Sequence, residues 1–190
     1  MPQPKHVMAL KVPKSPKLDK EMRDYFKLCQ EKLGFVPNVL QAYTLRPEKL
    51  RNFVATYNTL MLGDSGLSKL EREMIAVVVS SVNHCYYCLV AHGQAVRHLS
   101  GDPELGEMLT RNYRVAKLSK RHRAMLDFAW KLTETPSKIE EPDRQTLHKA
   151  GFSDEDIFDI CDVAAFYNAS NRMAIGTDMM PNPEYHKRSR

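Results

Sequence analysis

The sequence predicts an all-α, single-domain fold, and three observations carry that expectation. Apolar residues recur at helical spacing in successive segments. These segments open on a capping residue or a first-turn proline, and glycine or proline closes most of them. The chain has 190 residues with 43% hydrophobic content, enough for one well-packed core and short of what two domains usually need.

Residues 1–17 carry prolines at positions 2, 4, 13 and 16, which forbid regular helix and predict an extended arm over the body or a neighbouring subunit. Leu18, Met22, Tyr25, Phe26, Cys29 and Leu33 then mark an amphipathic helix stopped by Gly34, with Cys29 as a buried small hydrophobe. Pro47 opens the next helix, whose inward face includes Leu50, Phe53, Val54, Tyr57 and Met61, and Gly63 to Gly66 end it. Ser68 and Glu71 form a capping box that starts a helix over about 69–82. Its run Ile75 to Val79 is β-branched enough for a strand, but the capped start and the length favour a buried helix. Asp102-Pro103 starts a short helix, and Ser119 caps another that ends before Pro136. A helix over 143–150 stops at Gly151. Ser153 with Asp156 starts a last long helix, reaching about Ile175, with Cys161 in its apolar stripe. Residues 18–180 thus form the helical domain, and the basic end at 181–190 reads as a solvated, mobile tail.

The chemistry concentrates between Glu73 and His92. Cys85-Tyr86-Tyr87-Cys88 places two thiols at a spacing where an oxidised sulfur on one is resolved by the other. A helix start near Cys85 would set free backbone N–H groups and a positive dipole end against both sulfurs, favouring thiolate. Cys88 and His92 are i and i+4, so they share a helix face and His92 is the natural base for Cys88. Glu73 flanks the Leu70/Met74/Val77 stripe while Glu71 and Arg72 point elsewhere. A carboxylate half turned toward the core needs a partner, and a hydrogen bond to His92 would orient the imidazole in a relay of Glu73, His92 and the thiols. Tyr86, Tyr87 and His84 are candidates for the substrate pocket, with core packing the alternative for at least one tyrosine. Metal binding competes with this reading, since His84, Cys85, Cys88 and His92 are ligand types that zinc prefers. All four lie within nine residues, however, whereas structural zinc sites draw pairs from separated segments.

Glu73, eleven residues, Cys85-x-x-Cys88, three residues and His92 resemble the core signature of alkylhydroperoxidase D-like proteins in the carboxymuconolactone decarboxylase superfamily. The stretches Leu67 to Val96 and Gly151 to Ala174 resemble the peroxidase-related subgroup. The resemblance implies an all-helical, oligomeric protein whose core is a helical hairpin. It also implies thiol-dependent reduction of hydroperoxides, hence an antioxidant role akin to peroxiredoxin activity through a redox-active disulfide. In that family the second motif cysteine, here Cys88, is the nucleophile; the first, here Cys85, is its proton donor and resolving partner. The founding members carry a histidine between the cysteines, where this chain has Tyr87, so their particular protein partners do not carry over. The implied partners are a small hydroperoxide, a dithiol or disulfide reductant protein and further copies of the chain.

Composition narrows the alternatives. The net charge of +5 is modest and lacks a basic face interleaved with aromatics, so no nucleic-acid partner is expected. No apolar segment is long enough to span a membrane, and four cysteines without an N-terminal apolar run predict a cytoplasmic protein. Without a Gly-rich phosphate loop or a Ser-His-Asp series, no cofactor is expected. The superfamily's decarboxylase chemistry does not rely on a cysteine pair, which counts against it here. A zinc-stabilised interaction protein is the non-enzymatic alternative.

Overall fold

Capping chemistry divides the chain into α1 (Lys20–Leu33), α2 (Asn38–Tyr43), α3 (Pro47–Tyr57), α4 (Lys69–Val82), α5 (Tyr86–Ser100), α6 (Pro103–Asn112), α7 (Lys120–Glu134), α8 (Glu141–Lys149) and α9 (Asp154–Gly176). The computed structural model describes residues 3–190, and among these there are helices and no strands. Met1 and Pro2 of the expected N-terminal arm lie outside the described residues.

Helix α4 is the axis of the molecule. The Ser68 hydroxyl accepts from the Glu71 N–H at 3.1 Å, and the Glu71 carboxylate accepts from the Ser68 N–H at 2.8 Å, closing the expected box. Helices α5, α6, α7 and α9 pack around α4, and every residue from Glu71 to Ser80 is buried. Each of Met74, Ile75, Val77, Val78 and Val79 contributes roughly 1.5–3 kcal/mol relative to exposure. The β-branched run is therefore the driest part of a helix.

A helix enclosed on all sides has no solvent face, which corrects the expectation that Glu71 and Arg72 point away from the core. Both are buried and satisfied locally. Arg121 Nε donates to Glu71 at 2.9 Å, and Arg72 donates to the carbonyls of Leu60 and Gly63 at 3.0 and 2.9 Å. The Leu60 carbonyl belongs to a π-helical turn, Asn58–Leu62, that continues α3. Neither this turn nor the short helix α2 is foreseen by periodicity, because each is too short to register a period.

The C-terminal segment is held against the body rather than solvated. Tyr185 is buried in one apolar cluster with Phe35, Cys85, Tyr87 and Cys88 and meets the Phe35 ring edge-on at 5.0 Å. Buried Arg97 donates to the carbonyls of Tyr185 and Arg188. The N-terminal arm runs alongside, with Ala9 N–H bonded to Thr177 O at 2.8 Å and Met180 N–H to Val7 O at 3.0 Å. A tail that carries one large aromatic has a surface to bury, and net basic charge does not reveal that. Cys161 is half-buried against the main core rather than enclosed in it.

Candidate active site

The α4–α5 hairpin assembles the site. His84 takes a left-handed backbone conformation, φ 53°, and reverses the chain, and the Cys85 N–H then donates to the Ser80 carbonyl at 3.0 Å. Cys85 becomes the N-cap of α5, so the thiol pair stands at a helix N-terminus as the sequence predicts. Both are free, buried thiols. The amide N–H groups of Cys88 and Tyr87 lie toward the Cys85 sulfur, although no capping hydrogen bond of ordinary length closes.

The two sulfurs differ in electrostatics. A hydrogen bond from the Cys88 side chain stabilises the Cys85 thiolate most; against desolvation, the two amides and the charge of His92 add to it, and the Cys85 pKa falls to about 7. Cys88 is driven well above the ordinary thiol value, first by serving as that donor and then by burial. When the pair carries a single negative charge, Cys85 is therefore the sulfur that ionises and Cys88 keeps its proton. The expectation that the helix terminus favours thiolate at both sulfurs holds for Cys85 alone, because two adjacent sulfurs cannot both ionise cheaply.

Glu73 and His92 meet as expected. His92 Nδ1 and Glu73 Oε2 are 2.7 Å apart, with both side chains largely buried. A carboxylate accepts, so Nδ1 carries the hydrogen and Nε2 is left to serve a reacting group. Tyr167, on α9, completes this group. Its hydroxyl lies 3.5 Å from His92 Nδ1 and its ring meets the imidazole edge-on at 4.6 Å. Burial, and then the charge of Glu73, hold its pKa well above the usual phenol value, so it stays a neutral phenol.

These groups open into one cavity of about 240 Å³ between α1, α3, α5, α9 and the C-terminal segment. Cys88, Glu73, His92 and Tyr167 line it, whereas Cys85 does not. Tyr57, Tyr87, Phe166 and Tyr185 supply much of the remaining wall, and no lysine or arginine contributes to it. The volume falls below the roughly 300–1,000 Å³ typical of drug-sized ligands, so the cavity fits a small, largely apolar molecule.

Of the three pocket candidates read from sequence, Tyr87 lines the cavity and accepts the Val39 N–H at 3.0 Å. Tyr86 and His84 are exposed and do not line it. Tyr86 instead meets Gln3 and His186 at 3.2 and 3.3 Å. Cys29, expected as core, is buried and also lines the cavity. The zinc set does not gather, since His84 faces solvent on its turn and, among the described residues, no group of three or more His, Cys, Asp or Glu side chains is placed to hold a metal. Sequence reasoning missed Tyr57, Tyr167 and Tyr185. Tyr167 stands beside the small residues Ala164, Ala165 and Asn168, and its spacing on α9 relative to Ile160 and Val163 marks it only as core.

A helical body built on a hairpin that buries a CxxC pair beside a Glu–His pair defines an alkylhydroperoxidase-like architecture. Comparison with known proteins agrees: residues 47–129, from α3 into α7 and including the motif, match the carboxymuconolactone decarboxylase family. The chain is 60% identical to a peroxidase-related protein from Silicibacter sp. TM1040, covering 100% of both chains with a TM-score of 0.95. It is 40% identical to a peroxidase-related protein with an alkylhydroperoxidase AhpD core from Ralstonia eutropha JMP134, over 97% of each chain, TM-score 0.93. The debrominase Bmp8 shares the fold at 17% identity, with a TM-score of 0.77 over 95% of this chain and 93% of its own. Comparison with curated proteins gave no match. The protein belongs to the carboxymuconolactone decarboxylase family and has the alkylhydroperoxidase-like fold.

Proposed function

We propose that this protein is a thiol-dependent peroxidase that reduces a small, largely apolar hydroperoxide and is returned to the dithiol by an external dithiol. The observation that carries the reading is the asymmetry of the thiol pair: Cys88 faces the cavity together with His92 and Glu73, and Cys85 lies behind it as the more acidic partner.

In the proposed cycle the proton on Cys88 passes to Cys85, and the Cys88 thiolate attacks the distal peroxide oxygen. The S–O bond forms and the O–O bond breaks. The departing alkoxide takes the proton that Cys85 gives up, relayed through His92, whose Nδ1 is held by Glu73. The Cys85 thiolate then attacks the Cys88 sulfenic acid, forming the disulfide, and the expelled hydroxide takes a proton from solvent and leaves as water. An external dithiol reduces the disulfide by thiol–disulfide exchange, so that hydroperoxide and dithiol give alcohol, water and a new disulfide. A wall without cationic side chains supports a neutral organic hydroperoxide over an anionic one.

The finer expectations join this proposal: a homo-oligomer acting as an antioxidant in the cytoplasm with a dithiol reductant protein. No helix among the described residues is long and apolar enough to cross a membrane. Light scattering tests the oligomeric state directly. Activity is tested by following hydroperoxide consumption with dihydrolipoamide as reductant. Wild type is expected to turn over and Cys88→Ser to be inactive; equal turnover by both would refute the proposal.

A further inference from the structure

Six tyrosines line the cavity, and their hydroxyls fall into two groups. Three are engaged within the protein: Tyr25 donates to Asn58 Oδ1 at 3.1 Å, Tyr87 accepts the Val39 N–H at 3.0 Å, and Tyr167 stands 3.5 Å from His92 Nδ1. The hydroxyls of Tyr43, Tyr57 and Tyr185 have no hydrogen-bond partner among the described residues. They are not sealed in by packing either, because the only fully enclosed side-chain nitrogen or oxygen atoms without a partner are Nε of Arg72 and of Arg97. Each of the three hydroxyls therefore meets open space. Tyr43 ends α2 and is only half-buried, with its ring stacked on Phe53; Tyr57 and Tyr185 lie deeper.

Both deeper residues are fixed at every point but the hydroxyl. The Tyr57 ring stacks against Phe53, centroids 6.5 Å apart, and packs on the main core. The Tyr185 carbonyl accepts from buried Arg97 at 3.1 Å, its ring meets Phe35 edge-on, and it shares an apolar cluster with Cys88. Burial first, and then the charge of Glu73, push both phenols above their ordinary pKa, so each stays protonated and able to donate. A hydroxyl that is desolvated yet unsealed on a cavity-lining residue faces the cavity. At about 240 Å³ that cavity holds one small molecule, so a ligand seated against Cys88 meets these walls as well.

We propose that Tyr57 and Tyr185 are substrate-binding residues whose hydroxyls donate to the alkoxy oxygen of the bound hydroperoxide, the oxygen attached to carbon. When the O–O bond breaks, its electron pair goes to that oxygen, and the two donors hold the growing charge until the relayed proton arrives. A hydrocarbon filling the cavity would strand both hydroxyls, which is costly inside a protein, whereas an oxygen acceptor satisfies them. The wall thus selects oxygenated small molecules over hydrocarbons of the same shape. This inference rests on the reading of the cavity as the hydroperoxide site.

The test is ligand binding to the reduced protein by isothermal titration calorimetry, with acetophenone and α-methylstyrene as probes. The two share a shape. Acetophenone carries a carbonyl oxygen on the carbon that bears the peroxide in cumene hydroperoxide, and α-methylstyrene carries a methylene there. Wild type is expected to bind acetophenone the tighter. Tyr57→Phe and Tyr185→Phe are each expected to weaken acetophenone roughly tenfold and α-methylstyrene by less than about twofold. Melting temperatures of the ligand-free variants are expected to stay level or rise, since each variant loses an unpartnered hydroxyl. Acetophenone affinity unchanged in either variant, a loss shared equally by the two probes, or no binding of acetophenone by wild type would overturn the proposal. The readout needs no peroxide turnover, so the expected loss of discrimination beside a failed peroxidase assay would count against the activity and for the oxygen subsite.

Discussion

Replacing Cys88 by alanine removes the largest contribution to the low pKa of Cys85 and should return that thiol toward ordinary behaviour. The depression runs from the usual 9.0 to about 7, which corresponds to roughly 3 kcal/mol favouring the folded thiolate. Its sign follows from the direction. A thiol more acidic in the folded state adds no stability below pH 7; its contribution grows between pH 7 and 9 and is complete above 9. In Cys88→Ala only the backbone amides and His92 remain to oppose burial, so the midpoint should move above pH 8 and most of that pH-dependent gain should vanish. Thiolate absorbance near 240 nm measures the midpoint, and urea denaturation at pH 7 and 9 measures the gain. Cys29 and Cys161 are both pushed up by burial and stay silent in this window. A midpoint that stays near 7 without Cys88 would refute the shared-proton account.

Glu73→Gln keeps the shape and a hydrogen bond to His92 but removes the carboxylate, and peroxide turnover is expected to fall roughly 100-fold with little change in melting. Tyr167→Phe retains the edge-on contact with His92 and loses only the hydroxyl; a loss of a few-fold in kcat with unchanged stability is expected, from steady-state kinetics and thermal melts. Ser68→Ala breaks the box that starts α4 and should cost about 1 kcal/mol, or about 2–4 °C in melting temperature for a chain of this size. Activity at low temperature should survive that substitution, since Ser68 is remote from the cavity.

Much of this fold is legible because caps and stops are local chemistry. Ser68, Asp102, Ser119 and Ser153 each accept backbone N–H groups at the helix starts they mark, and Gly34 takes the left-handed conformation that ends α1. The Glu73–His92 contact is legible too, because a half-buried carboxylate and an imidazole one hairpin apart need each other. The opposite acidities of Cys85 and Cys88 are not legible from helix geometry, which treats the two sulfurs alike; they emerge only when one thiol's proton is shared with the other. Tyr167 and Tyr185 reach the site through tertiary packing of distant segments, and a single sequence records no such distance. The tail at 181–190 misleads because its basic residues outnumber the one aromatic that anchors it.

The most direct test of the central claim is to treat the reduced protein with one equivalent of cumene hydroperoxide and map its sulfurs by peptide mass spectrometry, with Cys85→Ser beside wild type. The account predicts a Cys85–Cys88 disulfide in wild type and a sulfenic acid trapped on Cys88 in the variant, each with one equivalent of alcohol. Peroxide left unconsumed, or oxidation found on Cys85 or Cys29 while Cys88 stays reduced, would contradict it.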